Sequence, residues 1–110
     1  MGLLSSILRS ATDNHLIWWC PGCKSPHQIA HGVGAGPRWD WNGSAEEPTF
    51  SPSVLVRYEA ADAGKDGAPP AVCHSFVVAG SMQFLSDCTH DLAGQTVPIP
   101  VWPSHNRDGV

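Results

Sequence analysis

The sequence is poor in charged residues and has no long apolar segment. Asp, Glu, Lys and Arg make up 15% of its 110 residues, the formal net charge is -4, and the six basic residues are scattered. Nucleic-acid binding needs clustered positive charge that neutralises phosphates, so we expect no nucleic-acid partner. No apolar run approaches the roughly 20 residues that cross a bilayer. We therefore expect a soluble intracellular protein and no membrane partner.

The composition also disfavours long helices. The chain contains 11 Gly and 10 Pro, which interrupt helical hydrogen bonding, and 110 residues suffice for one modest hydrophobic core. We therefore predict a single, mainly β domain over residues 1–110. Its antiparallel sheet occupies residues 15–101, and residues 103–110 form a tail.

The N-terminal segment is the exception to this β pattern. Its apolar residues recur at the spacing of one helical face: Leu3, Leu4, Ile7 and Leu8. This spacing predicts a short amphipathic helix over residues 2–11. Such a helix usually packs on its own domain, although it can also lie on a membrane surface.

Alternating and β-branched residues between turn signals predict seven strands. They cover residues 15–20, 26–31, 39–41, 53–59, 72–79, 82–87 and 96–101. Residues 60–70 are predicted to form a surface loop. If Gly80 and Ser81 are the central residues of a hairpin turn, Ala79 pairs with Met82, and Cys73 lies opposite Cys88.

The strongest chemical signal is Cys20-Pro21-Gly22-Cys23. Two thiolates three positions apart on a tight turn can bind one metal ion. A tetrahedral site needs two more ligands, and the open end of the predicted hairpin offers Cys73, His74, Cys88 and His90.

Our first choice of Zn²⁺ ligands is the set of four cysteines: Cys20, Cys23, Cys73 and Cys88. His90 competes with Cys88 or Cys73 for the fourth position, whereas His74 points to the opposite face of its strand. The alternatives to a metal site are disulfides, free thiols and a redox pair. Disulfides need an oxidising compartment, which nothing in the sequence indicates. A redox Cys-x-x-Cys lies between a strand and a helix, whereas this one is flanked by predicted strands. We therefore predict a bound zinc ion.

Familiar catalytic motifs are missing from the sequence. It has neither His-Glu-x-x-His nor the His-x-Glu of nucleobase deaminases, and four ligands would close the coordination shell, so the zinc is predicted to be structural. An open site with three ligands and a water would instead make a zinc-dependent hydrolase, with Asp87, His27 or His90 as base. Ser51 and Ser53 lack a Gly-x-Ser-x-Gly elbow and are interpreted as turn and strand hydroxyls.

Several motifs occur in an order that resembles a known family. They are Trp19-Cys20-Pro21-Gly22-Cys23, His27, Trp41-Asn42-Gly43, Pro48-Thr49-Phe50-Ser51-Pro52-Ser53, Cys73-His74-Ser75-Phe76-Val77, Phe84-Leu85-Ser86-Asp87-Cys88-Thr89-His90 and Leu92-Ala93-Gly94-Gln95-Thr96-Val97. The series resembles a family of small zinc-binding-like proteins that tailed bacteriophages and prophages encode, often labelled ammonia monooxygenase. The resemblance covers about residues 16–101 and implies a viral or prophage origin, without an activity.

The leading hypothesis is a small, zinc ribbon-like phage protein that acts as a structural or protein-binding module rather than as an enzyme. We expect its partner to be a virion component or a host factor, and its location to be the host cytoplasm or the virion. The alternatives are the zinc-dependent hydrolase and a membrane-surface adaptor that uses the N-terminal helix.

Overall fold

The protein consists of two antiparallel β-sheets, in agreement with the predicted mainly β class. The computed structural model describes residues 2–57 and 72–103, so the predicted 60–70 loop and nearly all of the tail lie outside the described residues. No α-helix occurs in these two ranges, and hence none that could span a membrane.

The first sheet is a meander in which each strand pairs with the next along the chain. It contains β1 (Gly2–Leu3), β2 (Arg9–Ala11), β3 (His15–Cys20) and β4 (Ser25–Ala30). Along β3 buried and half-buried residues alternate, because successive side chains of a strand point to opposite faces. Leu16, Trp18 and Cys20 therefore face the interior.

The second sheet has five strands, also in chain order. They are β5 (Asp40–Trp41), β6 (Phe50–Arg57), β7 (Val72–Val78), β8 (Ser81–Phe84) and β9 (Thr96–Pro98). The core lies between the two sheets, where the rings of Trp18 and Phe50 are 5.2 Å apart.

The predicted N-terminal helix over residues 2–11 is wrong. Ser5 Oγ accepts hydrogen bonds from the backbone N–H groups of Ile7 and Leu8, and Leu8 O accepts the N–H groups of Leu4 and Ser5. These local bonds make a turn between β1 and β2, because a serine hydroxyl competes with helical hydrogen bonding. The apolar residues do not form one face, since Leu8 is fully buried while Leu3 is 66% exposed.

The β7–β8 hairpin turns one residue earlier than predicted. Val78 pairs with Ser81, and Val77 pairs with Met82. Ala79 and Gly80 are therefore the central turn residues, and both have positive φ, as a two-residue hairpin turn requires. The predicted pairing of Ala79 with Met82 is wrong, and so is the register that placed Cys73 opposite Cys88.

Strand β6 contains a bulge. Phe50 pairs with Val77 and Val54 with Ser75, so residues 51–53 of β6 lie opposite Phe76 alone. Extra residues in one strand re-aim side chains, and such irregularities are common beside active sites. Ser53 lies in this bulge.

Candidate active site and metal centre

Two side chains of the second sheet and one from the turn after β8 form a continuous chain of hydrogen bonds. Ser53 Oγ lies 2.9 Å from His74 Nε2, and His74 Nδ1 lies 3.0 Å from Asp87 Oδ2. A carboxylate can only accept a hydrogen bond, so Nδ1 carries the proton, and Nε2 of the neutral ring then accepts the bond from the Ser53 hydroxyl. This is the arrangement that activates a serine nucleophile.

The bulge and a tryptophan position the serine. Val54 points into the core, so Ser53 and Leu55 on either side of it point to the outer face of the sheet. The indole N–H of Trp39 donates to the carbonyl oxygen of Ser53 over 3.2 Å. The backbone of the bulge is thereby held at the residue that carries the hydroxyl.

His74 occupies the outer face of β7. Its neighbour Cys73 is buried on the inner face, while the His74 side chain is 23% exposed and that of Asp87 is 57% exposed. The three side chains are therefore accessible from solvent. Leu55 lies directly opposite His74 in the strand register, and Phe76 follows His74 on the same face. Both are exposed.

A second group of side chains converges on the inner face of β7, where Cys73 lies. One ligand atom from each of four residues lies within 4.8 Å of all the others, and these residues are Cys20, Cys23, Cys73 and His90. The sulfurs of Cys20 and Cys73 are 3.8 Å apart. Two sulfurs on a tetrahedral zinc ion, with bonds of about 2.3 Å, would be about 3.8 Å apart. These four residues are therefore close enough to bind a metal ion.

The Cys-x-x-Cys turn supplies two of these ligands. The backbone N–H of Cys23 donates to the sulfur of Cys20 over 3.4 Å, and the N–H of Lys24 donates to the carbonyl of Cys20 over 2.8 Å. A Cβ atom on Gly22 would overlap the imidazole ring of His90. Only glycine therefore lets His90 approach the turn.

Contacts among the buried sulfurs move their pKa values in opposite directions. The bond with Cys23 raises the pKa of Cys20 to about 12, while the bonds from Cys20 and Cys73 lower the pKa of Cys23. The bond with Cys20 raises the pKa of Cys73, and burial lowers the pKa of His90. These shifts favour one thiolate beside two thiols and a neutral imidazole, and the buried Nε2 of the imidazole finds no hydrogen-bond partner among the described residues. A cation that displaces the thiol protons would complete this donor set.

The predicted ligand candidates fall into two groups. Cys20, Cys23, Cys73 and His90 come together, whereas Cys88 lies outside this group, with its sulfur against the backbone of His74. The hairpin register explains the difference. Because β8 ends at Phe84 and the chain makes a turn at Ser86 and Asp87 before Thr89 bonds to Val72, Cys88 meets the backbone of His74 and His90 joins the sulfurs.

Comparison with known proteins identifies the family. Residues 4–85, most of the chain, match the model of a family described as "Bacterial ubiquitination-like system serine protease (BubE)". The chain belongs to the BubE family. No curated protein and no solved structure matches the chain significantly. The BubE match contains Ser53 and His74, and Asp87 and His90 follow its end.

Membership of the BubE family corrects three predictions. The resemblance to a phage family and the viral origin are wrong, because the BubE family is bacterial. The structural or protein-binding module of phage type is wrong, because the BubE family is named for a serine protease. The zinc-dependent hydrolase is not favoured in the form predicted. Asp87, one of its candidate bases, instead bonds to His74 beside a serine.

From the sequence, Ser53 is interpreted as a strand hydroxyl and is not connected with His74. A Gly-x-Ser-x-Gly elbow places the nucleophile on a strand-to-helix turn, whereas Ser53 of this BubE chain lies in a strand bulge. Pro52, directly before Ser53, was the available signal, since proline within a strand indicates an edge or a bulge. The sequence places the His74 side chain on the opposite face of its strand from Cys73. His74 is therefore excluded there as a metal ligand and is assigned no other role.

Proposed function

We propose that this chain is a serine peptidase of a bacterial ubiquitination-like system. Ser53 is the nucleophile, His74 the general base, and Asp87 the residue that orients His74. The observation that carries this proposal is the unbroken hydrogen-bond chain from Ser53 through His74 to Asp87, in a family described as a serine protease. The predicted protein partner stays a prediction, and the peptidase proposal itself requires a polypeptide substrate.

The reaction would follow from the positions of the protons. Ser53 Oγ attacks the carbonyl carbon of the substrate while its proton moves to His74 Nε2. Asp87 accepts a hydrogen bond from Nδ1 and stabilises the imidazolium that forms. His74 then protonates the departing amine, which leaves an acyl group on Ser53. Water, deprotonated by His74, hydrolyses this ester and restores the serine.

Two exposed apolar residues mark where the substrate would lie. Leu55 and Phe76 are on the same face as Ser53 and His74, and they border the imidazole on two sides. A peptide lying across this face would cover their apolar surface, which favours binding by about 25 cal/mol per Å² buried. This placement favours a substrate with an apolar side chain near the bond that is cleaved.

The metal at the second group would be zinc with a structural role. Three thiolates and one imidazole in tetrahedral geometry are a typical ligand set for Zn²⁺, and four protein ligands close the coordination shell. Elemental analysis of the purified protein should find about one zinc per chain, and Cys73→Ser should lower this content. A different metal, or a folded protein without metal, would contradict the zinc assignment.

Labelling with a fluorophosphonate probe tests the peptidase proposal. The probe phosphonylates a serine only when a neighbouring base activates it. We expect the wild-type chain to be labelled, Ser53→Ala to be unlabelled, and His74→Ala to react at least about a thousandfold more slowly.

Ser51→Ala is the matched control, because Ser51 is an exposed serine of the same strand that pairs with Asp40. Its labelling rate should equal that of the wild type. Equal labelling of the Ser53→Ala and wild-type chains would contradict the proposal.

A further inference from the structure

Cys88 makes two hydrogen bonds to the backbone of one residue of the proposed triad. Its sulfur accepts the N–H of His74 over 3.2 Å, and its S–H donates to the carbonyl oxygen of His74 over 3.1 Å. The thiol is free, and the residue is only 8% exposed. Both hydrogen-bonding capacities of a thiol are therefore used on His74.

These bonds fasten the turn that carries Asp87. Strand β8 ends at Phe84, so the hydrogen-bond ladder of the sheet does not reach Asp87. Instead, Leu85 N–H donates to His74 O over 2.9 Å, and Cys88 N–H closes the turn on Leu85 O over 3.2 Å. Leu85 and Cys88, which flank Ser86 and Asp87, are thus both hydrogen-bonded to the backbone of His74.

We propose that Cys88 is a positioning residue for the triad, and this inference rests on the proposed function. The thiol holds the Asp87 turn at the distance at which Asp87 Oδ2 accepts a hydrogen bond from the Nδ1–H group of His74. Its own sulfur takes no part in the reaction. A serine at this position would keep one donor and one acceptor, whereas an alanine would keep neither.

Metal content separates this role from that of a metal ligand. The four atoms that come together belong to Cys20, Cys23, Cys73 and His90, so substitution of Cys88 should leave the metal in place. A structural metal ligand would lose the metal with either substitution, because neither alanine nor serine replaces a thiolate.

Thr89 offers a matched control next to Cys88. Its hydroxyl accepts the N–H of Val72 over 3.0 Å and donates to the carbonyl of Val72 over 3.3 Å. This is the same pair of bonds, made one residue further along the chain to a residue outside the triad. Thr89→Val removes both bonds and keeps the size of the side chain.

The test compares four full-length chains: wild type, Cys88→Ala, Cys88→Ser and Thr89→Val. For each we would measure the fluorophosphonate labelling rate, the zinc content and the low-field NMR signal of the His74 Nδ1 proton. We expect Cys88→Ala to label about 10- to 100-fold more slowly and to lose the signal, because small misplacements of catalytic groups are costly. Cys88→Ser and Thr89→Val should stay within about threefold of wild type, and all four should retain zinc.

Three outcomes would overturn the inference: wild-type rate and signal in Cys88→Ala, zinc loss in Cys88→Ser, or an equal rate loss in Thr89→Val. If Cys88→Ala does not fold, Cys88→Val replaces it as an apolar side chain of similar size. A wild-type chain that is not labelled would refute the proposed function. The NMR signal would still decide the positioning role, since it reports the His74–Asp87 bond without catalysis.

Discussion

The two serines of β6, Ser51 and Ser53, have different surroundings. They lie two positions apart, separated by Pro52, in the segment Phe50-Ser51-Pro52-Ser53. Ser51 is exposed and pairs with Asp40, whereas the hydroxyl of Ser53 meets an imidazole on the neighbouring strand. Sequence alone could not separate them, because the bulge that turns Ser53 toward His74 depends on the pairing of β6 with β7.

The contact between Gly22 and His90 leads to a prediction about metal affinity. Gly22→Ala would place a methyl group on the His90 ring and move a ligand, so zinc affinity should fall at least about tenfold in competition with a chromogenic chelator. Gly94→Ala is the control, because its Cβ would meet no neighbouring atom of the described residues, and its positive φ adds a backbone strain that is absent at Gly22. Equal affinity of wild type and Gly22→Ala would contradict the placement of His90.

The shifted thiol pKa values predict that zinc binding depends on pH. The raised pKa of Cys20, about 12, and the raised pKa of Cys73 favour protonated thiols at neutral pH, while the lowered pKa of Cys23 favours its thiolate. Zinc must displace about two protons, so its affinity should rise with pH by about a hundredfold per unit below the pKa of Cys20. Calorimetry in buffers of different ionisation enthalpy should count these protons. Binding without proton release would contradict the three-thiol group.

At the scale of elements, local pattern predicted strands well where nothing interrupted the alternation. The prediction for β3 coincides with the structure because alternating bulky residues end at Pro21-Gly22. The N-terminal helix failed because Ser5 stabilises a turn that the apolar spacing does not reveal. The β7–β8 hairpin shifted by one residue because Ala79 adopts a positive φ, which is uncommon for alanine.

The bulge of β6 leads to a prediction about Trp39. Trp39→Phe keeps an aromatic ring but removes the N–H that bonds to the Ser53 carbonyl, so the fluorophosphonate labelling rate should fall about fivefold. Trp41→Phe is the control, since the indole of Trp41 bonds to Ser44 instead. An unchanged rate in Trp39→Phe would show that the bulge holds Ser53 without this bond.

At the scale of the whole molecule, the four candidate metal ligands Cys20, Cys23, Cys73 and His90 join the two sheets. Cys20 and Cys23 come from the hairpin of the first sheet, Cys73 lies in the second sheet, and His90 follows β8. The sequence supplied the candidate ligands, because Cys-x-x-Cys spacing is typical of turns that bind a metal ion. To tell which of these candidates come together, the register of the β7–β8 hairpin had to be known. The proposed triad could not be predicted, because its residues come from three segments that no local motif connects.

This bridging position predicts that metal removal destabilises the entire fold. A strong chelator should lower the melting temperature by more than about 10 °C, because structural zinc contributes its binding free energy to folding. Calorimetric scans with and without the chelator measure this shift. Cys73→Ser, which has already lost a ligand, should show little further shift, and an unchanged wild-type melting temperature would contradict the structural role.

The position of the covalent adduct shows whether Ser53 is the activated nucleophile. After reaction of the wild-type chain with a fluorophosphonate, tandem mass spectrometry of the peptide containing Ser51 and Ser53 shows which oxygen carries the phosphonyl group. We predict a single adduct on Ser53, because of these two serines it is Ser53 whose hydroxyl bonds to His74. An adduct on Ser51, or an unmodified peptide, would contradict it.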